Sequence, residues 1–142
     1  MKLQPVAMVK RHGFAVALSL AAALPIPSWA CGACVEDTIA ATYDHGVIHA
    51  AIERRQQVVF VALAGRDAAR IGDRIAAAAP GVRGVQAGTL RIAVSPPAFS
   101  FALDARQPPE AAVAGFRKAV KGAAVGMTLV RVMRDGALVE PR

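Results

Sequence analysis

Cys31 and Cys34 stand three positions apart in "CGACVEDTIAATYDHGVIHAA", and His45 and His49 follow at a spacing of one helical turn. Both cysteines of the chain and every histidine except His12 lie in this stretch. Thiolates and imidazoles are the ligands that soft and borderline ions prefer. The set Cys31, Cys34, His45 and His49 therefore reads as a site for copper or zinc. Spacing argues against one four-ligand site. A continuous helix from Glu36 would carry His45 about 13 Å along its axis, out of reach of Cys34. Such a site closes only if the helix starts later, breaks at Gly46, or takes ligands from two chains. Otherwise the cysteines chelate one ion and the histidines another. Blander readings stand beside these: a solvated polar stripe for the histidines, and a Cys31–Cys34 disulfide closing a small loop.

What precedes Cys31 reads as a secretory leader over residues 1–30. Lys2, Lys10 and Arg11 supply its positive start, and "FAVALSLAAAL" is an apolar run too short to span a bilayer comfortably. Ser28 and Ala30 are the small residues expected before a cleavage point. Cleavage there would leave Cys31 with a free α-amine as a further ligand, and no membrane span. The expected location is secreted, in a bacterial periplasm.

The whole chain has 17 basic and 10 acidic side chains, net +7. Three basic residues leave with the leader, so 14 remain against the same 10 acidic ones, net +4. They are scattered and not interleaved with aromatics, which argues against nucleic-acid binding. Roughly 110 residues suffice for one domain with a real core and no disulfide framework. Ser95 and Ser100 have no histidine paired with them in a motif, and there is neither a Gly-rich phosphate loop nor H-E-x-x-H. No enzyme is read from the chain.

The cluster must be positioned by the elements that follow it. Ile39, Tyr43, Val47 and Ala50, widened by Ile48 and Ile52, predict one amphipathic helix from Val35 to about Arg55. Thr38, Thr42, His45, His49 and Glu53 fall on its opposite, polar stripe. "QQVVFVALAG" is a β-branched run for a buried strand, and "RDAARIGDRIAAAAPGV" a helix stopped at Pro80-Gly81. Leu90, Ile92 and Val94 alternate in a second strand. Phe99, Phe101 and Leu103 alternate with Ser100, Ala102 and Asp104 in a third, half-buried one. "QPPEAAVAGFRKAVKG" is a helix with Val113, Phe116 and Val120 inward. A last strand follows, with Asp135-Gly136 as a hairpin turn into a short terminal strand.

After the first helix the order is βαββαβ, the split unit of ferredoxin-like folds, with the first and third strands central and the last beside the first. The expected class is thus α+β: a ferredoxin-like βαββαβ sandwich over residues 57–142, preceded by a Cys-x-x-Cys segment and extra helix over residues 31–56. Val58, Phe60 and Ala62 alternate with Val59, Val61 and Leu63, so the first strand is apolar on both faces and needs two covers. The extra helix is one candidate for the second cover, and a second copy of the chain in a homodimer is the other.

On "VVFVALAGRDAARIGDRIAAAAPGVRGV" the chain resembles the heavy-metal-associated domain, the small ferredoxin-like module of copper chaperones and metal-transporting ATPases. The likeness covers Val58 to about Val132. That family carries Gly-Met-x-Cys-x-x-Cys after its first strand. Counted from Gly65, the two cysteine positions fall on Ala68 and Ile71, which cannot bind metal. The resemblance implies a degenerate member, keeping the fold without the family's metal loop. "CGAC" also resembles the active-site motif of thioredoxin-family oxidoreductases, which would imply thiol-disulfide exchange. No strand precedes it, however, and Glu36 and Asp37 oppose thiolate formation. The expected function is binding of a soft or borderline ion, copper or zinc, for or with a periplasmic protein partner. The alternatives are thiol-disulfide exchange, or a structural, partner-binding module with an inert disulfide.

Overall fold

The computed structural model describes residues 34–141, all within one unit, Cys31–Arg142. The stretch expected to be a leader, residues 1–30, and Cys31 lie outside the described residues. The protein is α+β, with one five-stranded antiparallel sheet in the order β2-β3-β1-β4-β5. Its strands are β1 (Gln57–Ala64), β2 (Arg91–Val94), β3 (Pro97–Leu103), β4 (Gly126–Arg134) and β5 (Ala137–Val139). Among the described residues, four α-helices accompany them: α1 (Val35–Thr42), α2 (His45–Glu53), α3 (Gly72–Ala78) and α4 (Pro109–Ala119). Short 3-10 turns at Ala68–Arg70 and Ala79–Gly81 flank α3.

The β-branched run of β1 sits at the centre, between β3 and β4, as its apolar character on both faces requires. Val59 lies opposite Phe101, and Val61 opposite Phe99. These side chains, with Leu103, face α3 and α4, where Ile75, Val113 and Phe116 meet them. The Phe116 ring lies 5.0 Å from that of Phe99 and 5.2 Å from that of Phe101, centroid to centroid. On the other face, Val58, Phe60, Ala102 and Met133 pack against Val47, Ile48 and Ala51 of α2. The N-terminal helical segment is therefore the second cover. Against β4, the register of β1 slips between Phe60 and Val61, where a bulge sets Arg131 and Leu129 opposite successive residues.

Three expectations need correction. The single helix over Val35–Arg55 is two helices. Tyr43 and Asp44 are both extended, and Asp44 caps α2 by accepting the Val47 amide at 2.9 Å. The break comes from this cap, two residues before Gly46. Consequently the apolar stripe drawn through one helix does not all face inward. Tyr43 and Ile52 are exposed, while Thr38 and Thr42, assigned to the polar stripe, are buried. The helix backbone and the sheet accommodate Thr42 by hydrogen bonding: its Oγ1 donates to the Thr38 carbonyl, and Ser100 Oγ donates to the Thr42 carbonyl at 2.8 Å. Finally, β3 is buried on both faces rather than half-buried, because α1 lies over its Ser100 side.

Asp44 also reaches Arg91 of β2, with Nε to Oδ2 at 2.6 Å, and so pins the helix break to the sheet edge. The Val47 amide first, and then the Arg91 guanidinium, hold the Asp44 carboxyl below its ordinary value of 3.8. A carboxylate lowered in the folded state stabilises that state above its unfolded value, and the contribution disappears as pH falls through the lowered value. Asn is as good an N-cap as Asp, so Asp44→Asn removes the charge while keeping the cap. The variant is expected to melt below wild type near neutral pH. The gap should narrow on acidification to below the ordinary 3.8, as read by thermal unfolding followed by circular dichroism.

Candidate functional site

Cys34 is exposed and occupies the N-cap position of α1. Its carbonyl accepts the Thr38 amide at 3.1 Å, which closes the first turn of the helix. Glu36 and Asp37 stand exposed in that turn, where carboxylates suit the positive end of the helix dipole. The helix itself is held to the sheet by the Ser100–Thr42 hydrogen bond. Cys34 thus stands exposed at one end of a helix whose other end is tied to the sheet.

His45 opens α2 and His49 follows one turn later, both exposed. Their ring centroids are 6.3 Å apart with planes tilted by 44°. His49 Nδ1 lies 3.5 Å from Glu53 Oε1, also on the surface. Cys34 and His45 are separated by the whole of α1, an eight-residue helix about 12 Å long, and by the break after it. Among the described residues, no group of three or more His, Cys, Asp or Glu side chains comes together to hold an ion.

The loop after β1, where the heavy-metal-associated family places its cysteines, is closed and structural. Ala68 and Ile71 are buried in the core beneath α3 and α4. Ala124 N donates to Asp67 Oδ2 at 2.8 Å, while Asp67 N donates to the Ala124 carbonyl at 3.2 Å. Nothing at Ala68 or Ile71 could ligate a metal, so this loop does not fit the family's ion.

One feature of the site does not follow from the spacing of its candidate ligands. Beside the first turn of α1 lies a cleft of about 280 Å3 between Thr38, the Ala62–Ala64 end of β1, Pro96-Pro97 and Thr128. The legible signal is the change from Val58 and Phe60 to Ala62 and Ala64 along the helix-facing side of β1: small side chains leave space under a helix. Thr38 falls on the stripe that hydropathy assigns to solvent, which hides it. No family model, no curated protein and no solved structure matches the chain.

Proposed function

We propose that the protein binds one soft or borderline ion, copper(I) or zinc, through the thiolates of Cys31 and Cys34. In this reading the chain is exported and cleaved before Cys31, so that the new α-amine adds a nitrogen to the two sulfurs. The body that carries the thiols is ferredoxin-like and a degenerate relative of the heavy-metal-associated domain. The order β2-β3-β1-β4, with a hairpin strand added at one edge, supports that assignment of the fold. The observation that carries the functional reading is the exposed Cys34 at the N-cap of α1, a helix whose Thr38 and Thr42 are buried. A partner can reach the thiol there, yet the helix under it is part of the core packing. His45 and His49 form a separate pair on α2, and the tight site is assigned to the cysteines.

Native mass spectrometry of the exported, reduced protein tests both parts at once. The mass of the apoprotein gives the processing site. Added copper(I) or zinc should give a single tightly bound ion, retained in His45→Ala/His49→Ala and lost in Cys31→Ser/Cys34→Ser. Equal binding by the double-serine variant would remove the proposal.

A further inference from the structure

The basic side chains are scattered along the sequence, yet the fold gathers six of them on one face. Arg66 and Arg70 stand between β1 and α3, Arg74 on α3, and Arg117, Lys118 and Lys121 at the end of α4, all exposed. Arg70 and Arg74 line a cleft of about 250 Å3 with Asp67, Ile71, Gly122 and Ala123. Arg74 Nη2 donates to the Lys121 carbonyl at 3.2 Å, which ties α3 to the end of α4. Arg117 reaches the Met127 carbonyl at the start of β4. Two acids share the face: Asp67, which accepts the Ala124 amide, and Asp73 in the first turn of α3. Six bases and two acids give this face +4, while the other seven bases and eight acids among the described residues give −1. Pairing divides the charges the same way. Among the described residues, ion pairs join Arg91 to Asp44, Arg106 to Asp104, Arg131 to Glu140 and His49 to Glu53, and none includes a base of this face. The helix dipole accounts for the bases in the last turn of α4. It does not account for Arg66, Arg70 and Arg74, which come from a different segment.

We propose that this face of α3 and α4 docks on an anionic phospholipid surface, with headgroup phosphates over the cleft between Arg70 and Arg74. Uncompensated charge of one sign, on one face of an otherwise nearly neutral body, orients that face toward a polyanion. The surroundings select among polyanions. The large exposed apolar side chains are Tyr43, Ile52, Ile92, Val94 and Leu138, and none lines the basic cleft. The face therefore lacks the aromatic platform that holds single-stranded nucleic acid and the apolar anchors at the centre of a protein interface. Ile92 and Val94 lie to one side, in a shallow cleft whose wall includes Arg70. Val94 is 61% exposed, at the end of β2 where the chain turns into β3. An aliphatic tip beside basic side chains suits a bilayer, where cations meet the headgroups and the apolar group enters the acyl boundary. The face uses neither the thiols nor a metal, so it stands or falls separately from the proposed ion binding.

The test is flotation of the full chain with vesicles of phosphatidylglycerol and phosphatidylcholine in equal parts, set against vesicles of phosphatidylcholine alone. Binding to the first only, falling as salt is raised, is expected. Arg70→Gln/Arg74→Gln/Lys121→Gln should weaken it about a hundred-fold, from the contribution of each basic residue held near an anionic bilayer. Arg54→Gln/Arg55→Gln/Arg83→Gln removes the same charge from elsewhere on the molecule and should stay within about five-fold of wild type, because distant charges are screened. Arg70→Lys/Arg74→Lys keeps the charge without the guanidinium geometry and should retain binding. Equal binding to phosphatidylcholine vesicles, or equal losses in the two triple variants, would overturn the proposal. So would polyglutamate or a DNA duplex, at matched charge, displacing the protein as well as an excess of the anionic vesicles does, since the face would then belong to an acidic chain or a nucleic acid.

Discussion

Replacing Phe60 with alanine is expected to cost about 3–5 kcal/mol of unfolding free energy, the range for truncating a buried phenylalanine. Phe60 is fully buried and is the largest side chain of the cluster that joins β1 to α2. Its neighbours there are Val47, Ile48, Ala51, Val58, Ala102 and Met133. They come from α2 and three strands, so they cannot collapse together into the space left behind without shifting the sheet or the helix. That argues for the upper half of the range. Equilibrium denaturation gives the number. Ile48→Ala, which removes the matching side chain from α2, should cost about 2–5 kcal/mol, and His49→Ala on the exposed side should change little. If Phe60→Ala and Ile48→Ala left the unfolding midpoint unchanged, the N-terminal helices would not be part of the core.

Gly65→Ala should be comparably damaging for a different reason. Gly65 has φ of +114°, and a Cβ there would fall on the carbonyl oxygen of Ala124. Positive φ alone costs a residue with a side chain about 1–3 kcal/mol. The clash adds to this because its partner is backbone, tied in place by the paired hydrogen bonds between Asp67 and Ala124. Gly88 supplies the control. Its φ is +75°, and a Cβ added there would meet nothing within 4 Å, so Gly88→Ala measures conformational strain without a clash. The two variants compared by urea denaturation should differ, with Gly65→Ala the less stable. Equal losses would mean that the 124 segment yields freely.

Much of this architecture is legible in the residues. Alternation of Val59, Val61, Leu63 against Val58, Phe60 requires a central strand with two covers, and the second cover is the N-terminal segment. The Asp135-Gly136 turn and the stripe of Val113 and Phe116 on α4, continued by Val120 at its C-cap, stand where pattern places them. What pattern missed was one residue's competing role. Asp44 reads as a polar position within a helix, yet its carboxylate serves the next helix better as a cap, and that rotates the faces before and after it. Thr38 and Thr42 then turn inward, against hydropathy, because Ser100 across the interface can bond to the Thr42 carbonyl. Hydropathy scores a side chain alone and carries no record of such a partner. For the same reason the candidate ligands were legible as types, while their separation along α1, the break and α2 depended on where the helix ended.

The position of β1 between β3 and β4 has a consequence for how the chain acquires its structure. Gln57 is opposed by Leu103 on one side and by Arg134, 77 positions later, on the other. The most apolar strand therefore leaves the ribosome before either neighbour exists. Pairings this distant in sequence are slow to form because a long loop must close first. Throughout that interval the segment Val58–Leu63 is a sticky, two-sided template, open to other chains. Synthesis order thus works against topology here, and a holding chaperone that keeps β1 covered until β4 emerges would matter more to this protein than to a helical bundle of equal length.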